Sequence, residues 1–240
     1  RLIMSKYIGA IDQGTTSSRF IIFNKKGHIV GQAQKEHKQI YPRPGWVEHD
    51  PMEIIGNTCE VIRSALASTG ISGDALAAVG ITNQRETTVV WDKNTGTPFS
   101  NAVVWQCTRT DKICKQLISS TGQNTFRDKT GLPIATYFSG PKIKWILENI
   151  PEARQAAQQG RALFGTMETW LNWWLTGGPS GGIHVTDVTN ASRTMLMDLS
   201  SLKWDEEILD ILNIPRQMLP DIIPSSDPNA WGRTLKDGPF

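Results

Sequence analysis

The chain predicts an α/β fold built on a mixed sheet flanked by helices. Three observations carry that expectation: three β-rich runs follow one another at the N-terminus, firm helix signals begin only after them, and helical and strand-like segments then alternate.

Tyr7–Asp12 (YIGAID) is an apolar run ending on a carboxylate, and Gln13-Gly14-Thr15-Thr16-Ser17-Ser18 reads as a polar turn. Arg19–Asn24 (RFIIFN) is the second strand, and Lys25-Lys26-Gly27 closes a hairpin into His28–Lys35. Turns this short imply antiparallel neighbours. Asp50-Pro51-Met52-Glu53 is a helix start, with Asp50 as N-cap, Pro51 at the first helical position and Glu53 reaching back as in a capping box. Gly70 stops that helix near Thr69.

Ala77–Thr82 reads as a buried strand, Thr87–Trp91 as the next, Asn94-Thr95-Gly96 as a turn, and Ala102–Trp105 as a continuation of the sheet. Thr110–Ser120, Gly140–Asn149 and Pro151–Gln159 are predicted helices, and Ala162–Phe164 is a short strand. Met167–Leu175 (METWLNWWL) is apolar nearly all round, which predicts a buried helix. Gly177–Gly182 reads as a flexible surface loop and Asp205–Leu212 as a late helix. No internal repeat is visible.

Composition narrows the function classes. With 25 Lys+Arg against 23 Asp+Glu the formal charge is +2, so neither a nucleic-acid footprint nor a polybasic membrane patch is expected. The three cysteines, Cys59, Cys107 and Cys114, are odd in number and lack C-x-x-C spacing, which speaks for a reducing compartment, by default the cytoplasm, rather than a disulfide scaffold or zinc ribbon. Nothing approaches the roughly 18 unbroken apolar residues of a membrane span. Met4 is a candidate natural start. The four histidines, His28, His37, His49 and His184, are scattered and form no metal motif, Cys107 lacks a histidine partner, and G-x-S-x-G is absent.

Three segments carry chemistry. In Asp12-Gln13-Gly14-Thr15-Thr16-Ser17-Ser18-Arg19, a carboxylate at a strand end precedes a glycine turn and clustered hydroxyls. Such a turn suits phosphate and Mg²⁺: backbone N–H groups and hydroxyls donate to phosphate oxygens, and Asp12 holds the metal's water shell. A plain hairpin turn accounts for the same residues equally well. Neither G-x-x-x-x-G-K-[ST] nor G-x-G-x-x-G occurs, which disfavours Walker-type and dinucleotide sites. The second segment, Gly80–Thr87, delivers Gln84, Arg85 and Glu86 side by side after a strand. A guanidinium fork and a carboxylate together can grip a polyol, although a surface salt bridge is the commoner use of that pair. The third is aromatic: Trp105 ends a strand and Tyr137 precedes a helix, both able to pack on a polyol's C–H face. For most of the 9 Trp, including Trp145, Trp170, Trp173 and Trp174, core packing is the better reading.

Taken together and in order, YIGAIDQGTTSSR, PGWVEHDP, GITNQRETTVVWD, VVWQCTRT, TGLPIATYFSGPKIKWILEN, LFGTMETWL and HVTDVTNASRTML resemble the FGGY carbohydrate kinases, from Tyr7 to about Ser226. The resemblance implies an actin-like, ribonuclease H-like α/β domain over residues 1–240, forming the N-terminal, substrate-side half of the enzyme. It implies ATP and Mg²⁺ as cofactors and glycerol as acceptor, the Gln-Arg-Glu triplet and TNASRTM favouring glycerol over pentuloses. Asp12, Thr15, Thr16, Ser17 and Arg19 then face the ATP phosphates, with Asp12 toward Mg²⁺ through water. Arg85, Glu86 and Tyr137 hydrogen-bond the glycerol hydroxyls, and Trp105 packs on its carbons. The family's catalytic carboxylate, in a Gly-Asp-Gln-type segment, and its nucleotide-binding domain are expected beyond Phe240, with a homo-oligomer as the full-length form.

Departures are Glu168 where the family has Asp, Pro141 in place of a small hydroxyl residue, which shifts the following helix start, a longer Thr176–Ile183 loop, and no recognisable Gly-rich, Arg-containing effector stretch around Trp231–Phe240. Two alternatives stay open: a catalytically dead polyol- or phosphate-binding module, and a kinase for another sugar or polyol.

Overall fold

The computed structural model describes residues 6–240, so the reading of Met4 as a start lies outside the described residues. Strands β1 (Tyr7–Gln13), β2 (Ser17–Asn24) and β3 (Ile29–Glu36) form the expected antiparallel meander. After the two-residue strand β4 (Glu48–His49) comes helix α1 (Pro51–Thr69), and β5 (Leu76–Asn83) then lies parallel to β1. The main sheet is therefore mixed, in the order β3-β2-β1-β5.

Helix α1 begins and ends where its caps dictate. Asp50 accepts hydrogen bonds from the N–H groups of Met52 (2.8 Å) and Glu53 (3.4 Å), and Gly70 closes the helix in the left-handed conformation. The expected capping box is not made. The Glu53 carboxylate instead accepts from the backbone N–H of Lys38, at 3.2 Å to Oε1, because the loop leaving β3 brings an unpaired donor over the helix start.

Ala77–Thr82 is not the buried strand expected. In β5 the residues alternate, with Ala78, Gly80 and Thr82 exposed and Val79, Ile81 and Asn83 half-buried. It is an edge of the sheet, and small side chains on its open face leave that face uncovered. Ala102–Trp105 does not continue the main sheet either. Strands β6 (Val89–Asp92) and β7 (Ala102–Val103) belong to two separate pairs, β7 with β4 and β6 with β8 (Ala162–Gly165). After Val103 the run bends away, with the Val104 N–H donated to the Val47 carbonyl and the Trp105 N–H to Thr87 Oγ1.

The remaining elements are α2 (Asp111–Thr121), α3 (Arg127–Thr130), α4 (Ser139–Asn149), α5 (Pro151–Gln158), α6 (Met167–Leu175), β9 (Val185–Asp187) and α7 (Val188–Ala191). They are followed by β10 (Met197–Asp198), β11 (Lys203–Trp204), α8 (Glu206–Leu212) and β12 (Asp221–Ile223). Helix α4 starts one residue before the predicted Gly140, and Pro141 sits in its first turn, where a missing N–H costs nothing. Gly177–Gly182 is a packed turn rather than a flexible loop: a Cβ at Gly182 would lie 2.3 Å from the Trp173 carbonyl oxygen.

Two cores result. One lies between the main sheet, α1 and α6, where Ile11, Phe20 and Ile22 meet Ile54, Val61, Ile62, Trp91, Trp170 and Trp173. The rings of Trp91 and Trp170 meet edge to face at 5.1 Å, and with Trp173 and Trp204 buried and Trp46, Trp145 and Trp174 packed against the two cores most of the tryptophans are core residues. The other core joins α2, α4, α5, α8 and β8 through residues such as Ile113, Ile143, Ile146, Phe164 and Leu212.

The first core leaves no room at Gly9, where a Cβ would lie 2.6 Å from the Phe20 ring. Gly9→Ala is expected to destabilise the chain by about 1–3 kcal/mol through overpacking. Urea unfolding monitored by far-UV circular dichroism measures this, and a variant as stable as wild type shows that Phe20 yields freely.

Candidate active site

The phosphate-type turn sits between β1 and β2. Gly14 donates its N–H to the Ser17 carbonyl (2.8 Å), which closes the turn tightly and leaves Thr15 and Thr16 at its tip. Asp12 pairs in register with Arg19 on β2 and with Thr82 on β5. Since Ile11 and Gln13 point into the core, Asp12 lies on the opposite, open face of the sheet with Arg19. Among the described residues the Asp12 carboxylate makes neither a hydrogen bond nor an ion pair, whereas Arg19 donates Nε to Gln34 Oε1 (3.2 Å). Ser17 Oγ accepts from Gln34 Nε2 (2.8 Å), so its hydroxyl proton remains free to donate.

No group of three or more His, Cys, Asp or Glu side chains able to cage a metal exists among the described residues. One unpaired carboxylate beside a hydroxyl-rich turn fits the way Mg²⁺ is usually held, by one or two carboxylates with waters and substrate phosphates.

The second group gathers around Glu86. This residue is buried and has φ 64, a left-handed conformation uncommon outside glycine, at the centre of a tight turn in which the Thr87 N–H reaches the Arg85 carbonyl (2.8 Å). Such strain costs on the order of 1–3 kcal/mol and persists only where the surroundings over-determine it. Here they do. The Glu86 carbonyl accepts from Thr88 Oγ1 (3.1 Å) and Ser139 Oγ (3.0 Å), and its carboxylate is ion-paired to Arg193 Nε at 2.7 Å. The Arg193 guanidinium also lies over the rings of Phe138 (5.1 Å) and Tyr137 (5.8 Å). Arg85, next in sequence, is exposed and makes no side-chain hydrogen bond or ion pair among the described residues.

Trp105 joins the two groups. Its indole N–H donates to Thr15 Oγ1 (3.1 Å), and its ring centroid lies 5.4 Å from that of Tyr137. Thr15, Trp105, Tyr137 and the buried Glu86 thus form one connected group, with Arg193 bridging the last two. Thr16, Ser17 and Arg19 belong to the turn and its strand. Arg85 is tied to the group by the backbone alone.

For several residues here the motifs that contain them give no role. Arg193 lies over one hundred positions from Glu86, and only the helical turn after β9 brings it near. Lys142 is fully buried, and its Nζ donates to the carbonyls of Thr136 (2.9 Å), Tyr137 (2.5 Å) and Phe138 (3.1 Å). Burial pulls its pKa down to about 7, while three carbonyl acceptors suit the three N–H bonds of the protonated form. It holds the loop that presents Tyr137. Glu168 is also buried, which raises its pKa, and it accepts from Asn83 (2.9 Å), Thr166 (2.5 Å), Thr169 (3.1 Å) and Thr186 (2.5 Å). Its longer arm therefore serves to clamp the end of β5. Asn190, in the sequon-like Asn190-Ala191-Ser192, is buried against Asp187. Cys107 is a free, buried thiol that accepts from Arg109 Nε.

The mixed sheet thus carries a hydroxyl turn after its first strand and a strained, ion-paired polar loop after the strand parallel to it. Residues 7–231 match the model of the FGGY family of carbohydrate kinases, N-terminal domain, and the chain belongs to that family, with its actin-like, ribonuclease H-like α/β fold. Its particular likeness is to glycerol kinases. It is 64% identical over 223 residues to the glycerol kinase of Chloroflexus aggregans, covering 93% of this chain and 45% of that protein. It superposes on the Plasmodium falciparum glycerol kinase solved with ADP with a TM-score of 0.88 and 37% identity, over 96% of this chain and 45% of the other. A gluconate kinase of Lactobacillus acidophilus gives a TM-score of 0.79 at 26% identity, over 91% and 42%. The chain spans about half the length of the relatives it matches. No helix among the described residues is long and apolar enough to cross a membrane.

Arg193→Met would leave the Glu86 carboxylate buried without its cation. Because Arg193 keeps 27% of its side chain exposed, the expected loss is about 2–3 kcal/mol, below that of a fully enclosed pair. Chemical denaturation of the variant checks this, and a loss under about 0.5 kcal/mol assigns the pair no structural weight.

Proposed function

We propose that this chain is the substrate-side domain of an ATP-dependent glycerol kinase that forms glycerol 3-phosphate. Asp12, Thr15, Thr16, Ser17 and Arg19 face the nucleotide phosphates, with Asp12 toward Mg²⁺ through water. Arg85, Glu86 and Tyr137 take the glycerol hydroxyls, and Trp105 packs on its carbons. The observation that carries this reading is the Trp105 bridge, which sets a hydroxyl-rich turn directly beside the Tyr137 ring, with the Arg193–Glu86 pair next to that ring. The 64% identity to a glycerol kinase supports glycerol as the acceptor.

In this reading, bound Mg²⁺ supplies charge neutralisation on the transferring phosphoryl group. The chain's own residues supply position, which is most of what in-line phosphoryl transfer requires. The free Arg85 fork donates to one hydroxyl. Glu86, anchored by Arg193, accepts from its neighbour. Thr15, held by the Trp105 indole, keeps the turn at a fixed distance from the acceptor. The proton of the attacking hydroxyl passes to a carboxylate outside these 240 residues, as the family resemblance implies, since Glu86 is already committed to Arg193.

Two experiments test the reading. In the complete gene product, Arg85→Ala is expected to cost about 1.5–3 kcal/mol of glycerol binding by loss of a charge-assisted hydrogen bond, roughly a 10- to 150-fold rise in glycerol KM. An unchanged glycerol dependence removes Arg85 from the site. The 240-residue chain assayed alone in a coupled kinase assay is expected to show no measurable turnover. Robust turnover by the chain places the base within it and overturns that division of labour.

A further inference from the structure

Behind the proposed site a polar circuit runs through the buried side chains of His49, Gln84 and Thr87. His49 is fully buried and uses both ring nitrogens, with Nε2 2.9 Å from Gln39 Oε1 and Nδ1 3.2 Å from Gln84 Nε2. Gln39 Nε2 in turn donates to the Thr15 carbonyl (3.0 Å). Gln84 Oε1 accepts from Thr87 Oγ1 (2.9 Å), which itself accepts from the Trp105 N–H (3.2 Å). The Trp105 indole then donates to Thr15 Oγ1 (3.1 Å), so the two arms that leave His49 meet again at Thr15.

The hydrogen-bond directions are determined by the partners. Gln84 Oε1 is occupied by the Thr87 hydroxyl, and Gln84 Nε2 also faces Gln13 Oε1 (3.1 Å) and the Gly14 carbonyl (3.3 Å), so its amide nitrogen points at His49. His49 Nδ1 must therefore accept, and Nε2 must carry the proton that Gln39 Oε1 receives. Only the neutral imidazole satisfies both bonds. Burial agrees, lowering the His49 pKa to about 3, with the ring of His37 packed edge-on at 4.4 Å also opposing a charge. The strand that carries His49 is itself pinned, since Glu48 accepts from Arg109 Nη2 (2.6 Å) and Asn101 Nδ2 (2.8 Å).

We propose that His49 is a positioning residue: by holding Gln39 and Gln84 at once, it keeps the phosphate-side turn Gly14–Thr16 and the polyol-side loop Gln84–Thr87 in one fixed register. The assignment of those two segments to the two substrates rests on the function proposed above. His49 touches neither substrate in this scheme. It acts through the two glutamines, one on each side.

Two variants test this. In the complete gene product, His49→Leu is expected to raise the KM for glycerol and the KM for ATP together, each by roughly fivefold or more, with partial recovery in His49→Gln, which restores a donor and an acceptor. Gln39→Met lies on the phosphate side and on a half-exposed loop, so it folds even if His49→Leu does not. It is expected to raise the glycerol KM as well. Variants that lose thermal stability while both KM values stay within about twofold of wild type overturn the proposal.

A second measurement stands apart from activity. In the ¹⁵N-labelled 240-residue chain without ligand, Gln39→Met is expected to shift the Gln84 side-chain amide signals, and His49→Leu those of Gln84 and Gln39. Unmoved Gln84 signals in both variants overturn the circuit. Absence of glycerol phosphorylation by the wild-type gene product, with these shifts present, overturns the substrate assignment and leaves the positioning role of His49 supported.

Discussion

Parallel pairing of β1 with β5 is the constraint on which the rest of this site depends. The register sets Asp12 beside Thr82 and Gln13 beside Asn83, and one further ladder bond, from the Gln84 N–H to the Gln13 carbonyl at 2.7 Å, carries the pairing past the strand ends. Two loops that leave neighbouring parallel strands at the same end must lie side by side. One is the hydroxyl turn and the other the Gln84–Thr87 loop. A parallel pair needs a crossover of a dozen or more residues, and α1 supplies it while burying Ile54, Val61 and Ile62 on the sheet.

Around that pairing the molecule concentrates its unusual groups. Glu86 adopts a strained backbone, Lys142 and Glu168 are ionisable side chains in the interior, and His49 has both ring nitrogens engaged within the core. Each is satisfied by partners outside its own element: Arg193 for Glu86, three carbonyls for Lys142, Asn83, Thr166 and Thr186 for Glu168, two glutamines for His49. Desolvation would make any of them costly if left unpaired, so each also locks a loop. Rigidity at these two loops is thus derived from buried polar bonds, while the two apolar cores hold the scaffold beneath them.

Much of the fold was legible beforehand because its signals are local. The Asp50-Pro51 cap, the Gly70 stop, the Lys25–Gly27 hairpin and the buried Met167–Leu175 helix each depend on residues within a few positions of one another. The misreadings share the opposite cause. Ala77–Thr82 resembles a buried strand in composition, but its place at the sheet edge is a matter of topology. Ala102–Trp105 keeps strand pairing only at Ala102–Val103, outside the main sheet, because Val47 and Thr87 take the backbone N–H groups of Val104 and Trp105. Gly177–Gly182 looked loose, yet its glycines are there so that the turn can press on Trp173.

The site divides along the same line. Residue type and short spacing are enough to place Asp12, Thr15, Thr16, Ser17 and Arg19 on one hairpin, and Gln84, Arg85 and Glu86 on one loop, because neighbours in the chain are neighbours in space. They could not say that Trp105 joins turn to ring, that Glu53 serves Lys38 rather than its own cap, or that Arg193 anchors Glu86 from 107 residues away. Those pairings form only when the sheet and the two cores bring distant segments together and exclude water. At that point each buried donor and acceptor takes whichever partner the packing leaves within reach.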